Sequence, residues 1–374
     1  MRDKGETKHD ILDRLKSYRA KDLSYDRVLS AMCTRPHPIA VAVHEMFFET
    51  NLGDAGLFPG TQELECKVVR MLGGMLGDPS VHGYITTGGT ESNIQAMRAA
   101  RNSGMSTKPN IVVPESAHFS FDKIADILKI ELHKAELDDS FRVDPGSVES
   151  LIDDNTVAIV GIAGTTEFGQ IDPIRELSDI AVEKKLFLHV DAAFGAFVIP
   201  FLGREYDFDF RCPGVSSMTA DPHKMGLCTI PAGGLLFRDP SHLEGLQTRT
   251  PYLTIDTQHS LSGTRSGAVV AASYAVMRHL GMEGYRRMMD YCMGLTHRLV
   301  ERARGFGVEP LVDPVMNVVV LDVGDTAAVR QALAKKGWST SITRDPVGMR
   351  LVIMPHLTES AMDEFLDDLE GICG

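Results

Sequence analysis

The chain has 374 residues, with 38 lysines and arginines against 51 aspartates and glutamates, a formal net charge of −13. It is 43% hydrophobic and 24% charged, which is ordinary globular usage and excludes disordered and fibrous classes. So acidic a chain repels phosphate backbones, so neither nucleic acid nor an anionic membrane is an expected partner.

The first residues, Met1-Arg2-Asp3-Lys4-Gly5-Glu6, lead into a charged amphipathic stretch from Asp10 to Asp22. No apolar signal core and no run of 18 or more apolar residues follows. The cysteines Cys33, Cys66, Cys212, Cys228, Cys292 and Cys373 form no CxxC pair. Such usage reads as a reduced, cytoplasmic protein without a zinc cluster.

Helical and strand-like segments then alternate, which predicts an α/β fold. Leu64, Val68, Met71, Leu72 and Met75 follow helical spacing. Tyr84–Thr87 is β-prone, and Gly88-Gly89-Thr90-Glu91-Ser92-Asn93 opens a helix running to about Arg101. Buried strands are expected at Ile111–Val113, Val157–Ile162 and Leu186–Val190, with a helix beginning near Pro173 between the last two. Two apolar strands joined by a helix make a crossover, so the sheet is expected to be parallel and covered on both faces. A long helix spans about Gly267–Arg304, followed by a strand at Asn317–Leu321, a helix at Thr326–Lys336, a strand at Met349–Met354 and a helix from Glu359. Residues 1–50 are read as an N-terminal helical segment, 51–305 as a large domain and 306–374 as a small α+β domain.

Three motifs carry chemistry. In Thr87–Asn93, glycines at a strand-to-helix turn let backbone N–H groups approach an anion. The stretch has neither the GK[ST] ending of a P-loop nor a GxGxxG. Asp191 closes the apolar run Leu186–Val190, at the strand end where open α/β sheets bind ligands. Lys224 lies in Asp221-Pro222-His223-Lys224-Met225-Gly226, where partial desolvation makes an amine nucleophilic. Taken singly, each has a plain structural reading: a turn capped by Thr90, a helix cap, a solvated loop charge. Together, a phosphate loop, a strand-end aspartate and a lysine 33 residues later are the order expected of a pyridoxal-phosphate enzyme.

These motifs resemble the group II pyridoxal-phosphate decarboxylases, from about residue 50 to 265 and in the same order. Thr87–Asn93 resembles their phosphate loop, His189-Val190-Asp191-Ala192-Ala193 their pyridinium-binding strand end and Asp221-Pro222-His223-Lys224 their cofactor-lysine motif. Ala117-His118-Phe119-Ser120 resembles the segment whose histidine stacks on the pyridine ring, and Gly164-Thr165-Thr166 a further cofactor turn. Glu49–Asp54, Gly161–Glu167 and Ile353-Met354-Pro355-His356 resemble the archaeal L-tyrosine/L-aspartate branch. Where animal and plant enzymes read Asn-x-His-Lys-Trp, this chain has Asp221-Pro222-His223-Lys224-Met225.

The resemblance implies an aspartate-aminotransferase-type fold (fold type I), with a mainly parallel seven-stranded sheet and a small C-terminal domain. It implies pyridoxal 5'-phosphate held by Lys224, with Asp191 protonating its ring nitrogen and His118 stacked on its face. Gly89, Thr90 and His223 are the phosphate candidates, and Thr166 and Ala193 lie near the ring. Tyr252, in a loop before Ser262-Gly263-Thr264-Arg265, is the candidate proton donor, often reaching the partner subunit's site in a homodimer. Arg350 is the candidate for a substrate carboxylate, through its bidentate fork. The implied reaction is α-decarboxylation of L-aspartate to β-alanine, for coenzyme A, or of L-tyrosine to tyramine, for methanofuran. A lyase, an aminotransferase and a silent cofactor-binding scaffold on the same fold are the alternatives. No metal site is expected.

Overall fold

A computed structural model describes residues 4–104 and 106–373. Helix α1 (Lys8–Arg19) starts where the Thr7 hydroxyl oxygen accepts the Asp10 N–H, and it buries none of its side chains. Helix α2 (Pro38–Phe47) begins on a proline, which suits a first turn because no N–H is needed there. Between them the chain is not helical, apart from a single 3₁₀ turn at Tyr25–Arg27. Residues 28–37 run extended, and their backbone bonds to the far end of the chain. The Leu29 N–H donates to Ser339 O at 2.8 Å, and the Val352 N–H donates to Leu29 O at 2.7 Å. Residues 1–50, expected as a helical segment, thus hold α1 and α2 with this extended link between them. Pro36 and Pro38 help keep the link extended, since the residue before a proline avoids the α region.

Helix α3 (Pro59–Met75) turns Val68, Val69 and Leu72 inward. Then follow β1 (His82–Thr86), α4 (Gly89–Ser103), β2 (Asn110–Pro114), α5 (Ser120–Leu128), β3 (Glu131–Ala135) and α6 (Pro145–Ser150). Next come β4 (Thr156–Ile162), α7 (Ile174–Lys184), β5 (Phe187–Asp191), β6 (Val215–Ala220) and β7 (Gly233–Phe237). Among the described residues these strands form a seven-stranded sheet in the order β1-β7-β6-β5-β4-β2-β3. The pairs from β3 through β6 are parallel, and β7 runs antiparallel to both β6 and β1. The expected mainly parallel sheet is borne out, and every residue of β2 and β5 is buried, as helices on both faces require. At Gly233 the backbone passes so close to the β1–α4 turn that a Cβ would lie 2.5 Å from Gly88 Cα. Only glycine fits there.

Beyond the sheet lie α8 (Pro240–Glu244), a small hairpin of β8 (Thr248–Arg249) and β9 (Thr257–Gln258), and α9 (Gly267–Gly305). Helix α9 breaks its direction at Gly281, whose φ of +58° favours glycine. The chain closes with β10 (Glu309–Pro310), β11 (Val318–Asp322), α10 (Thr326–Lys335), β12 (Ser341–Ile342), β13 (Met349–Val352) and α11 (Glu359–Cys373). Their strands make an antiparallel sheet, β10-β11-β13-β12, around a core that includes Leu299, Trp338, Leu351 and Phe365. Among the described residues no helix is long and apolar enough to cross a membrane.

One buried ion pair ties α3 and β1 to the segment that enters α9. Arg265 Nη1 lies 2.5 Å from Glu65 Oε1, and Nη2 lies 3.1 Å from Oε2. The same carboxylate oxygen accepts the Ile85 N–H at 3.0 Å. The Arg265 guanidinium also covers the Tyr84 ring at 5.1 Å. Replacing the arginine leaves a buried carboxylate without its counter-charge. Arg265→Met is therefore expected to destabilise the protein by about 3–5 kcal/mol, read as a lower urea midpoint. An unchanged midpoint would mean that water replaces the guanidinium at little cost.

Candidate cofactor site

The parallel register sets the site. Ile162 pairs with Asp191, and Asp191 with Thr219, so three strand ends lie side by side. The turns leaving β1, β2, β4, β5 and β6 surround a cavity of ≈ 320 Å³. Gly89, Thr90, His118, Thr166, Asp191, Ala193, His223 and Lys224, eight residues singled out in the sequence, all line it.

Side chains alternate along a strand, so His189 and Asp191 share one face of β5, as Ser217 and Thr219 share one face of β6. These four make a polar patch on an otherwise apolar sheet, and Asn93 of α4 covers it. Asn93 Nδ2 donates to Asp191 Oδ2 at 2.7 Å and to Ser120 Oγ at 3.1 Å. Asn93 Oδ1 accepts from Thr219 Oγ1 at 2.9 Å and faces His189 Nε2 at 3.0 Å. The Ala193 N–H donates to the other oxygen of Asp191 at 3.1 Å. Asp191 is 7% exposed and has no cationic side-chain partner among the described residues. A buried anion in that state is costly unless a cation comes to it.

Lys224 Nζ lies 3.5 Å from Asp221 Oδ2, and the Gly89 N–H donates to that same oxygen at 3.0 Å. The Gly89 donor is therefore already engaged. The N–H groups of Thr90 and Glu91 carry no such bond among the described residues and stay open at the start of α4. The Thr87 N–H and hydroxyl both donate to Glu91 Oε2, at 2.9 and 2.7 Å. Burial lowers the His118 pKa, and the Ser120 N–H donates to its Nδ1 at 3.2 Å, so its ring is neutral with the proton on Nε2. The His118 ring packs on Phe119 at a centroid distance of 4.0 Å.

Two sequence candidates lie elsewhere. Tyr252 is 86% exposed on the turn between β8 and β9 and does not line this cavity. Arg350, on β13, stands behind the cavity rim. Its Nε donates to Thr166 O, and its Nη1 to Ser30 O and Ser341 Oγ, each at 3.1 Å. Burial pushes its pKa down to about 10. Nη2 has no hydrogen bond and the guanidinium no carboxylate partner among the described residues. Met32, Asn93 and Asp221 line the cavity without having been singled out as site residues. Asn93 and Asp221 stand inside motifs that the sequence reading quoted, so a signal was there; Met32 lies in a stretch read as helical.

The donor set fits pyridoxal phosphate. A lysine and an unpaired carboxylate share one cavity, and open N–H groups point from a helix start. Asp221 Oδ1 and Glu91 Oε1 are buried there without hydrogen-bond partners among the described residues. At Gly88 a Cβ would come within 3.1 Å of His223 Cε1, so a side chain would fill the cradle. A family model for the pyridoxal-dependent decarboxylase conserved domain matches residues 49–320. A probable L-tyrosine/L-aspartate decarboxylase of Methanothrix thermoacetophila is 59% identical over 370 residues, 99% of this chain and 97% of that protein. A probable L-aspartate decarboxylase of Archaeoglobus fulgidus is 53% identical over 363 residues, 97% and 99% of the two chains. The solved sphingosine-1-phosphate lyase of Burkholderia pseudomallei matches with a TM-score of 0.92 at 27% identity, covering 99% of this chain and 91% of its own. Glutamate decarboxylase of Lactobacillus brevis matches with a TM-score of 0.90 at 24% identity, covering 99% and 93%, a likeness of fold.

Proposed function

Since the chain belongs to the pyridoxal-dependent decarboxylase family, it is a pyridoxal-phosphate carboxy-lyase of an amino acid, and we propose that its substrate is L-aspartate, L-tyrosine or both. The observation that carries the reading is the pairing of Lys224 with an uncompensated Asp191 across one cavity. The names of the two archaeal relatives support the substrate class.

Bound there, pyridoxal phosphate supplies a ring that accepts the electron pair left when CO2 departs. Lys224 would hold the cofactor through Nζ. Asp191 would keep a proton on the ring nitrogen, which its lack of a cationic partner among the described residues favours. His118, neutral and packed against Phe119, would stack on the cofactor, with Thr166 and Ala193 beside it, and the open N–H groups at the start of α4 would hold its phosphate with Thr90 and His223.

Tyr252 returns the proton to Cα, from a second copy of the chain. Its exposure, and the outward Ile11, Leu15 and Tyr18 of the otherwise unburied α1, support a homodimer whose site is completed across the interface. Six free cysteines support a reduced, cytoplasmic setting. The end of α9 at Gly305 and the start of the second sheet at Glu309 support a division into large and small domains near residue 306.

Arg350 offers its open Nη2 to the side-chain carboxylate of aspartate. A hydrogen bond to a charged group contributes about 1.5–3 kcal/mol, so Arg350→Met is expected to raise KM for aspartate on the order of ten- to a hundredfold. KM for tyrosine should move far less, and equal rises for both would make Arg350 a brace for Thr166 and Ser30. The reading as a whole is tested by offering purified, cofactor-loaded protein L-aspartate, L-tyrosine and L-glutamate separately. CO2 matched by β-alanine or tyramine is the expected result. No CO2 from any of them, with cofactor visibly bound, would favour the lyase, aminotransferase or scaffold alternatives.

A further inference from the structure

The amide of Asn93 is used to capacity. Its two N–H donors go to Asp191 Oδ2 and Ser120 Oγ, and its oxygen faces two groups, Thr219 Oγ1 and His189 Nε2. An aspartate oxygen accepts only, so the nitrogen end of the amide must face Asp191. The oxygen end then requires a proton on His189 Nε2. Burial pushes the His189 pKa down to about 4, so the ring is neutral and carries only that proton. Its Nδ1 must then accept from Ser217 Oγ, 2.7 Å away. The directions are thus fixed along the whole chain: Ser217 to His189, His189 to Asn93, Asn93 to Asp191. Every donor points toward the carboxylate, and every member is buried.

We propose that Asn93 is the positioning residue that holds the Asp191 carboxylate aimed at the cofactor ring nitrogen, with His189 and Ser217 polarising it from behind. This rests on the reading of Asp191 given above. Hydrogen bonds to the charged form hold a carboxylate anionic. Asp191 receives its bonds with no fixed cation beside it among the described residues, and such a cation would compete with the ring for the same charge. Leucine or alanine at residue 93 would fill or empty the space but leave the carboxylate without its donor.

Asn93→Asp isolates the donor from the shape. At neutral pH it sets a second carboxylate oxygen against Asp191 Oδ2 at the 2.7 Å now spanned by the amide. Two carboxylates so close share one proton and titrate as a pair. When the new side chain is protonated, its O–H again donates to Asp191. Turnover of the variant is therefore expected to fall about ten- to a hundredfold at neutral pH, the range that outer partners of buried ligands command elsewhere. It should recover as pH is lowered, while the wild type does not. Asn93→Ser, too short to reach, should lose turnover with no recovery at low pH.

The second readout is the ring-nitrogen NMR resonance of 15N-labelled pyridoxal phosphate bound to each protein. Wild type should show a protonated ring nitrogen, and Asn93→Ser, which removes the donor to Asp191 without adding a charge, should lose that proton at a lower pH. Wild-type profiles and resonances in both Asn93 variants would overturn the proposal, and if Asn93→Asp does not fold, Asn93→Ser alone decides it. Asp191→Asn separates the two levels. A ring nitrogen still protonated in that variant defeats the reading of Asp191 itself, whereas loss there with none in the Asn93 variants defeats only the role of Asn93.

Discussion

Lys224→Ala is expected to give a colourless protein with no measurable decarboxylation. Lys224 is the one lysine on the cavity wall among the described residues, and its amine stands 3.5 Å from Asp221 rather than in bulk water. On the proposed reading its loss removes the covalent anchor of the cofactor, without which no turnover is expected. Added pyridoxal phosphate should bind only reversibly and leave on gel filtration. Its side chain is partly exposed, so the urea midpoint should stay near that of the wild type. A variant that keeps a bound chromophore through gel filtration would remove Lys224 from the anchoring role.

Asp191→Ala should separate chemistry from folding. The carboxylate accepts one bond from Asn93 and one from the Ala193 backbone. Stranding those donors costs about 1–3 kcal/mol. Removing a preorganised charge from a reacting centre costs on the order of 10²- to 10³-fold in rate. Turnover should therefore collapse while the protein stays folded and Lys224 still retains the cofactor. The measurement is kcat beside the cofactor content of the same preparation. Near-normal kcat, or an activity loss that only tracks lost cofactor, would take Asp191 out of the chemistry.

The parts of the fold legible in the sequence are those whose environment is uniform along a segment. β2, β4 and β5 are apolar runs because both faces are covered, and each appears within a residue or two of its expected place. The long helix from Gly267 shows itself by period and by its glycine-rich end. β3 was missed because it is the sheet edge, and its Glu131, His133 and Lys134 lie on a partly wet surface. β7 has no strand signal at its two leading glycines, of which Gly233 answers the close approach of Gly88.

The same distinction holds at the site. Lys224, Asp191 and the glycine turn sit in contiguous motifs and could be named together. Asn93 closes one of those motifs, but its role depends on β5 and β6 lying side by side, with His189 opposite Ser217. No spacing along the chain encodes that register. Arg350 could be named as a cation but not as one that braces Thr166, since its partners come from three separate segments.

The extended stretch before α2 bears on when the molecule becomes competent. It supplies Met32 to the cavity, yet its bonds reach Ser339 and His356, 309 to 328 positions away in the chain. The seven-stranded sheet needs nothing beyond residue 237 to pair. During folding residues 28 to 34 therefore have no seat until the strands of the second sheet have formed. Contacts of such separation form slowly. The one side of the cavity that Met32 closes is thus seated only once residues 339 to 356 are in place.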